Sequence, residues 1–379
     1  MMGLHILPNA MLGILGGGQL GRMFTMSARA MGYRVTVLDP DRESPAGSLA
    51  DVHLRAGYDD PEALRTLAET CAAITTEFEN VPAESMRYLE QQVRVRPSAE
   101  SVAIAQDRIR EKRYIAAAGL KTAPFLAIEA QADLDQDLRG HLPGILKIAR
   151  LGYDGKGQAR VKTPEDAKAA FASMGGKPSV VERMLNLKTE ISVIVTRTGP
   201  GEAVCFPVSE NQHESGILDI SIVPARIDDA IAENARQMAL KLAEVMGYVG
   251  VLAVEFFLLK DGELLINEIA PRPHNSGHYT LDATLVSQFD QQVRAMCGLP
   301  PGDTRLLSPV VMVNLLGDIW RDDEPAWDKL LSQPNVHLHL YGKKSARIGR
   351  KMGHFNVLAE NVETALAQAL ELKRMLQEP

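Results

Sequence analysis

Two carboxylates in a predicted β-hairpin are the residues of this chain best placed to do chemistry. Residues 253–268 read as two apolar strands around Asp261-Gly262, a dipeptide that favours a two-residue turn. Counting outward from that turn places Glu255 opposite Glu268. Opposed acidic side chains lie roughly 5 Å apart and repel each other unless a cation compensates. Mg²⁺ in phosphate-handling sites is typically held by one or two carboxylates. A surface hairpin with solvated acids has the same spacing, but the apolar flanks favour a buried sheet in which carboxylates need partners.

A glycine-rich turn, Gly16 to Gly21, lies between a predicted strand and a predicted helix. It fits the pattern G-x-G-x-x-G, and Asp39 ends the next strand where an acid that binds ribose would lie. Taken alone, the pattern indicates a dinucleotide-dependent dehydrogenase. The same turn admits any phosphate or nucleotide-like ligand at a helix N-terminus, and a purely structural turn is the third interpretation.

A second glycine-rich segment, Leu151 to Gly157, lies between two predicted strands and contains Lys156. Backbone amides in such a loop can bind phosphate oxygens, and Lys156 and Lys147 would add positive charge. The segment lacks the Walker pattern G-x-x-x-x-G-K-[ST]. It therefore predicts a flexible flap over phosphates, with an ordinary hairpin loop as the alternative.

Polar residues are also dense from Glu268 to His278, directly after the acidic hairpin. The segment does not match H-E-x-x-H, and its two prolines are incompatible with a regular helix, which excludes a zinc-protease interpretation. An irregular loop of this kind is where catalytic residues collect.

Two further segments have patterns that fit both a ligand site and a solvated surface. Residues 182–185 read as an edge strand that could present main-chain groups to an adenine ring, with Glu190 near the ribose hydroxyls. Residues 343–354 hold six basic side chains in an acidic protein. Glycines punctuate this stretch, so it predicts either a phosphate-binding loop or a solvated surface.

The predicted elements place these segments in successive regions. The first hundred residues alternate strands and helices, as in a parallel βαβ sheet, and a helical stretch over about 98–118 leads away from it. Residues 121 to about 187 look like a small α+β subdomain. A strand-rich region follows, with a long helix over 228–246 and then the acidic hairpin. Beyond Pro300-Pro301 lies a smaller segment with two strands and a final helix.

Composition sets modest bounds. The chain has 379 residues, a net charge of −7, 45% hydrophobic and 23% charged residues, which is ordinary for a globular protein of two or three domains. The negative charge argues against a nucleic-acid surface. No apolar run approaches the ~18 residues of a membrane span, and no signal-peptide pattern is present, so we expect a cytoplasmic protein without nucleic-acid or membrane partners. The three cysteines lie far apart, without metal-ligand spacing, and favour free thiols.

Taken in order, these segments resemble the ATP-grasp superfamily, and within it the N5-carboxyaminoimidazole ribonucleotide synthetases of purine biosynthesis. The segments that carry the resemblance are Gly16 to Met23, Thr76 to Val81, Gly152 to Gln158, Glu210 to Leu218, Gly247 to Val251, Asn267 to His278 and Gly349 to His354. The string His-Asn-Ser-Gly-His at 274–278 is the most specific of them.

The resemblance implies an ATP-grasp fold of mixed α/β and α+β class. It implies a Rossmann-like pre-ATP-grasp domain over 1–105, an ATP-grasp domain over 106–298 with a lid at about 120–187, and a small C-terminal domain over 299–379. A homodimer is also implied. The implied reaction is carboxylation of 5-aminoimidazole ribonucleotide by bicarbonate, with ATP as co-substrate, Mg²⁺ as the metal and carboxyphosphate as the intermediate.

The resemblance also assigns residues to these ligands. Those assigned to ATP are Arg108, Lys147, Gly152, Tyr153, Asp154, Gly155, Lys156, Gly157, Glu182, Arg183, Met184, Leu185, Glu190, His213, Asn267 and Glu268. Those assigned to the ribonucleotide are Gly17, Gly18, Gln19, Leu20, Glu77, Asn80, Asn275, Ser276, Lys343, Arg350 and Lys351. Glu255 and Glu268 would hold the metal, while Tyr153, Arg272 and His274 would lie near bicarbonate and the reacting amine as catalytic residues.

Three alternatives remain open on the sequence. Another ATP-grasp ligase, of the formate-dependent glycinamide ribonucleotide transformylase or biotin carboxylase type, would share the ATP site but should lack the string at 274–278. An NAD-dependent oxidoreductase accounts only for the glycine turn. A non-catalytic nucleotide-binding regulator would be favoured by missing metal ligands, yet Glu255 and Glu268 are both present.

Overall fold

The computed structural model describes residues 5–152, 157–320 and 324–377. Its first region is a parallel sheet, as the alternation of strands and helices predicted. The strands are β1 (Met11–Leu15), β2 (Arg34–Leu38), β3 (Val52–Leu54), β4 (Ala73–Thr76) and β5 (Arg94–Val95), in the order β3-β2-β1-β4-β5. The helices are α1 (Gln19–Ala30), α2 (Pro61–Thr70) and α3 (Ala83–Glu90). Apolar clusters bury both faces of the sheet, as a parallel sheet requires.

The helical stretch predicted over about 98–118 is two helices, α4 (Ala99–Ala105) and α5 (Arg108–Ala117). The break falls at Asp107, which has an extended backbone and whose carboxylate accepts hydrogen bonds from two amides in the first turn of α5. A side chain that satisfies such unpaired amides begins a helix. The predicted helical stretch is thus present but interrupted, and the break sets Arg108 at the first position of α5.

A small antiparallel sheet forms the next region. Its strands are β6 (Phe125–Ile128), β7 (Gly144–Ile148), β8 (Gln158–Val161) and β9 (Ser179–Arg183), in the order β6-β9-β7-β8, and α6 (Pro164–Ser173) packs on it. Strand β9 lies between two neighbours, so the prediction of an edge strand at 182–185 is wrong. The reason lies in Val180 and Val181, which are both fully buried, as successive residues of an interior strand can be.

A nine-stranded sheet forms the rest of the molecule. Its strands are β10 (Leu187–Gly199), β11 (Glu202–Cys205), β12 (Ser209–Glu214), β13 (Ile217–Val223), β14 (Gly250–Leu259), β15 (Leu264–Ala270), β16 (Val310–Leu316), β17 (Val336–Leu340) and β18 (Lys351–Leu358). The order is β15-β14-β10-β12-β13-β16-β18-β17, with β11 paired to β10. Because β13 pairs with β16, the last three strands continue the sheet across the boundary predicted at residue 299.

The remaining helices are α7 (Asp229–Val245), α8 (Thr280–Ala283), α9 (Gln288–Met296), α10 (Trp327–Leu331) and α11 (Val362–Gln377). Helix α9 joins the regions, because its Phe289 and Val293 belong to the same apolar cluster as α1 and Gln292 Nε2 donates to Thr75 Oγ1 of β4 at 2.8 Å. Within the described ranges, no helix combines the length and the apolar character that crossing a membrane demands.

The acidic hairpin is formed by β14 and β15, and Glu255 lies opposite Glu268 as predicted. The two-residue turn predicted inside it is wrong. Leu259 N donates to Glu263 O at 2.9 Å, which leaves a loop of residues 260–262 with Gly262 at φ +90°; a three-residue hairpin loop places glycine at this left-handed position. A β-bulge at Asn267 then restores the predicted pairing, since Phe256 pairs with Ile266 while Glu255 pairs with Glu268.

Candidate active site

A cleft of about 940 Å³ lies where the three sheets meet. Most of the predicted site residues line it: Gly18, Gln19, Leu20, Glu77, Asn80, Arg108, Lys147, Gly152, Gly157, Glu182, Arg183, Met184, Leu185, Glu190, His213, Glu255, Asn267, Glu268, Arg272, His274, Asn275, Lys343 and Lys351. Tyr153, Asp154, Gly155 and Lys156 lie outside the described residues.

Three predicted residues are not among the side chains that line the cleft. Gly17 is packed under Asp39 and Ser44. Ser276 is fully buried, and its hydroxyl accepts from Ser192 Oγ at 2.7 Å. Arg350 donates to Ser345 at 2.8 Å beside the cleft. For Arg350 the sequence shows a basic side chain but not its direction.

The bulge on β15 explains how neighbouring side chains reach one face. Successive side chains of a regular strand point to opposite faces, whereas a bulge sets two residues opposite one and re-aims a side chain. Asn267 and Glu268 together oppose Glu255, and all three line the cleft. Asn267 Oδ1 is buried without a hydrogen-bond partner among the described residues. Two carboxylates and an amide oxygen are the oxygen ligands that Mg²⁺ prefers, so the arrangement fits this metal.

Each metal-site carboxylate has a basic partner. Arg108 Nη1 donates to Glu268 Oε2 at 2.6 Å. His274 Nε2 lies 3.0 Å from Glu255 Oε1. Burial alone would raise the pKa of Glu268, but Arg108 outweighs it and lowers that pKa. The pKa of Glu255 is raised by burial and by the charges of Glu268 and Glu190. The pair thus holds one strongly acidic and one weakly acidic carboxyl.

Two lysines share the carboxylate of Glu182 on β9. Lys147 Nζ donates to Glu182 Oε2 at 2.9 Å, and Lys112 Nζ lies 3.1 Å from Oε1 as an ion pair without hydrogen-bond alignment. Lys112 is 0% exposed and Glu182 3%. The two ammonium groups lower the pKa of Glu182 in spite of its burial. The triad carries a net positive charge beside the cleft, which suits the binding of phosphates.

Glu190 and His213 lie on the neighbouring strands β10 and β12. His213 Nδ1 is 3.4 Å from Glu190 Oε2, and burial raises the pKa of Glu190 although His213 opposes the shift. The atoms of Glu190, His213 and Glu255 that could ligate a metal all lie within 4.8 Å of one another. A carboxylate and an imidazole side by side offer an acceptor and a donor for a pair of vicinal hydroxyls.

The glycine turn at 16–21 is filled by the protein's own carboxylates. Gly17 N donates to Asp39 Oδ2 at 2.7 Å, Gly21 N donates to Glu77 Oε2 at 2.7 Å, and Gly18 N donates to Glu77 Oε1. A Cβ atom on Gly18 would lie 2.6 Å from Glu77 Oε1, so glycine is needed here to admit Glu77. The two carboxylates repel a pyrophosphate, which argues against a dinucleotide at this turn.

The same end of the cleft also holds basic groups. Arg272 Nε donates to Glu79 Oε2 at 2.7 Å, and Lys343 Nζ donates to Gln19 Oε1 at 2.6 Å. Lys351 lies on β18 rather than in a loop, so the prediction of a loop over 343–354 holds only for its first part. Strand β18 lies between β16 and β17 in its sheet, and its glycine, histidine and asparagine do not follow an apolar pattern.

The charged residues in or beside the cleft that were not selected from the sequence include Glu79, Glu111 and Lys112. The last two follow Arg108 on α5 at helical spacings of three and four, which places the charges on one face. Glu111 is 2% exposed, and burial together with the charge of Glu268 raises its pKa to about 8. Charged residues on the inward face of a helix were the signal that could have found them.

Comparison with known proteins places the chain in a family. Residues 10–106 match the model of the ribonucleotide synthetase preATP-grasp domain, residues 113–289 that of the ATP-grasp domain, and residues 310–368 that of the phosphoribosylaminoimidazole carboxylase C-terminal domain. The chain is 46% identical to the N5-carboxyaminoimidazole ribonucleotide synthase of Bacillus subtilis over 94% of its own length and 93% of the relative's. The chain belongs to the N5-carboxyaminoimidazole ribonucleotide synthase family.

Solved structures of this synthase family share the whole fold. A synthetase solved as an ADP complex superposes with a TM-score of 0.93 at 42% identity, covering 100% of both chains. The Aspergillus clavatus synthase in complex with ADP and 5-aminoimidazole ribonucleotide gives 0.89 at 32% identity, covering 98% of this chain and 99% of that one. The ATP-grasp fold with its two flanking domains is thereby confirmed, and the NAD-dependent oxidoreductase interpretation is set aside.

Proposed function

We propose that the protein is an ATP-grasp ligase that carboxylates 5-aminoimidazole ribonucleotide with bicarbonate and ATP. The products are N5-carboxyaminoimidazole ribonucleotide, ADP and phosphate, in de novo purine biosynthesis. The proposal depends above all on one observation: Glu255 and Glu268 oppose each other in a cleft that is also lined by the basic residues Arg108, Lys147, Arg272, His274 and Lys351.

At the nucleotide end, the described residues fit the parts of ATP in order. Residues 182–185 leave β9 beside the cleft and would frame the adenine. Glu190 and His213 would hold the ribose hydroxyls. Lys147 and Arg108 would neutralise the phosphates, since phosphoryl transfer depends on positioning and on compensation of negative charge.

Glu255, Glu268 and Asn267 would hold Mg²⁺. When bound, the metal supplies positive charge that polarises phosphoryl oxygens and orients them. Arg108 now holds Glu268 and His274 holds Glu255, so the protein keeps both carboxylates directed into the cleft.

At the substrate end, Lys343 and Lys351 would bind the ribonucleotide phosphate, and Glu77 with Asn80 would face its ribose. Arg272 would bind bicarbonate. Its guanidinium is oriented by Glu79, whose Oε2 lies 2.7 Å from Arg272 Nε. Burial and the nearby cations Arg272 and Lys351 lower the pKa of His274 to about 3. His274 is thus a neutral imidazole at physiological pH and would lie near bicarbonate and the reacting amine; Tyr153 stays a prediction.

The cleft also has to exclude water. Carboxyphosphate formed from bicarbonate and the γ-phosphoryl group would hydrolyse if it were exposed, so it must be captured by the amine inside a closed site. The small sheet carries Lys147 and residues 182–185 over the cleft. We infer that this sheet forms the cover; most of the predicted flap over residues 151–157 lies outside the described residues.

The test follows phosphate release from MgATP and bicarbonate, with and without 5-aminoimidazole ribonucleotide, together with consumption of the ribonucleotide. We expect release that depends on the ribonucleotide and equals its consumption. If the folded protein binds MgATP but the ribonucleotide neither stimulates release nor disappears, the proposed acceptor is wrong. The homodimer and the cytoplasmic location stay predictions; sedimentation velocity would decide the first.

A further inference from the structure

Helix α5 contacts three successive residues of the bulged segment on β15. Arg108 binds the carboxylate of Glu268 at 2.6 Å. Glu111 Oε1 accepts from the N–H of Ile269 at 2.6 Å. Lys112 Nζ donates to the carbonyl of Asn267 at 3.3 Å. The residues before and after Glu268 are therefore held through their main chain, while Glu268 itself is held through its side chain.

Two features of β15 create the need for such support. It is the edge strand of its sheet, so main-chain groups on its outer side face no partner strand, and its bulge interrupts the ladder of hydrogen bonds on the inner side. Unpaired buried groups are costly. Glu111 satisfies one such amide and Lys112 one such carbonyl. Both side chains are almost completely buried, at 2% and 0% exposure. Charged groups are rarely buried to this extent without a specific partner.

Lys112 extends the contact toward the nucleotide. Its ammonium group also lies 3.1 Å from Glu182 Oε1, and Glu182 in turn binds Lys147 at 2.9 Å. The buried ammonium group of Lys112 thus contacts both β9, beside the predicted adenine site, and β15, which carries Glu268.

We propose that Glu111 and Lys112 are positioning residues, which hold the main chain of residues 267–269 so that Glu268 and Asn267 face the metal. The inference rests on the proposed function in so far as Glu268 is a metal ligand. Neither residue touches substrate, and the expected effect is on metal affinity. Partners behind metal ligands commonly contribute such effects, and their loss weakens metal binding about 10- to 100-fold.

The test measures Mn²⁺ binding to the full-length protein with ADP, by electron paramagnetic resonance of free Mn²⁺. Glu111→Leu keeps side-chain size and helix propensity but leaves the Ile269 amide unpaired, and should weaken Mn²⁺ about tenfold or more. Glu111→Gln keeps an acceptor oxygen and should restore binding to within about threefold of the wild type. Lys112→Met should weaken Mn²⁺ in the same direction as Glu111→Leu.

Arg113→Ala is the matched control. Arg113 lies on the exposed side of the same helix and pairs with Glu129 at 2.9 Å, so its loss should leave the Mn²⁺ affinity unchanged. In a Glu268→Gln background, Glu111→Leu should add no further loss, because the ligand that it positions is gone. Thermal unfolding of each variant shows whether α5 still forms.

Wild-type affinity in Glu111→Leu, or an equal loss in Arg113→Ala, would overturn the proposal. A wild type that binds no Mn²⁺ with ADP would overturn it too. Should Glu111→Leu not fold, hydrogen exchange at the Ile269 amide of the wild type decides: it should slow about tenfold or more when Mn²⁺ and ADP bind, and an unchanged rate contradicts the inference. None of these measurements needs the ribonucleotide, so they separate this inference from the proposed reaction.

Discussion

At the scale of single residues, the cleft is defined by which charge each side chain meets. The sequence shows that Glu255 and Glu268 are acids in a hairpin, but it cannot show that Arg108 holds one and His274 the other. Arg108 comes from a helix 160 residues away from Glu268 in the chain, and His274 comes from the loop that follows the hairpin. Residue types and motif positions could therefore be predicted, whereas the pKa directions depend on contacts that only the fold creates.

Glu268→Gln should lower turnover by about 100-fold or more, because the variant removes a metal carboxylate and about 2.7 kcal/mol of transition-state stabilisation corresponds to that factor. Steady-state phosphate release at increasing Mg²⁺ checks it, and the Mg²⁺ requirement should rise. Glu263→Gln is the control, since Glu263 pairs with Lys121 at the exposed end of the same hairpin. Equal activity of both variants would remove Glu268 from the metal site.

Glu182→Gln should lower the free energy of unfolding by about 3 kcal/mol or more, since it leaves the buried Lys112 and the partly buried Lys147 without their carboxylate. Urea unfolding measures the change. The exposed ion pair of Glu100 with Arg110 provides the comparison: Glu100→Gln should cost about 0.5 kcal/mol or less. A surface ion pair contributes about 1 kcal/mol or less. A loss smaller than this in Glu182→Gln would contradict the burial of Glu182 with its two lysines.

At the scale of elements, two local departures from regular geometry cancel in the hairpin. The turn is one residue longer than the Asp-Gly pattern predicts, and the bulge at Asn267 shifts the register by one residue in the opposite sense. The predicted opposition of Glu255 and Glu268 is confirmed. Between this pair and the turn, however, the strands pair one residue away from the predicted register. A bulge has no apolar signature, so the periodicity of the strand could not predict it.

Gly262→Ala should destabilise the protein by about 1 kcal/mol, because alanine is strained at the left-handed backbone of this position. A Cβ atom there would meet no other atom within 4 Å, so the cost is conformational rather than steric crowding. Gly262→Asn should cost less, since asparagine tolerates this conformation. Urea unfolding of both variants measures the difference, and an unchanged turnover is expected. Equal losses would contradict a purely conformational cost.

At the scale of the whole molecule, the sheets are linked more closely than the sequence suggested. The βαβ region, the small subdomain and the final helix were predictable from apolar periodicity. The continuation of the large sheet through β16, β18 and β17 was not, because pairing partners distant in sequence leave no local pattern. Histidines are buried where these strands meet α8 and α9: His278 and His354 are both 0% exposed, with ring centres 4.8 Å apart.

The contribution of the buried histidines His278 and His354 to the stability of the protein should fall as the pH drops from about 7 to 5. Burial lowers the pKa of His278 and His354 below the ordinary 6.5, so the unfolded chain takes up protons in this range and the folded chain does not. Each such histidine contributes a slope of up to about 1.4 kcal/mol per pH unit. His354→Asn, which keeps an acceptor for Tyr341 Oη, should reduce the slope by about that amount. An unchanged slope in urea unfolding at several pH values would contradict the neutral, buried state of His354.

The ion pairs of the cleft have a consequence for how the protein meets its nucleotide. Arg108, Lys147, Glu255 and Glu268 each have a partner within the protein, so binding exchanges one set of partners for another. The heat of binding is then a difference between similar contacts, and it understates the strength of each contact with the ligand. The same partners reduce the mutual repulsion of these charges in the nucleotide-free chain, although the charges of Glu268 and Glu190 still raise the pKa of Glu255.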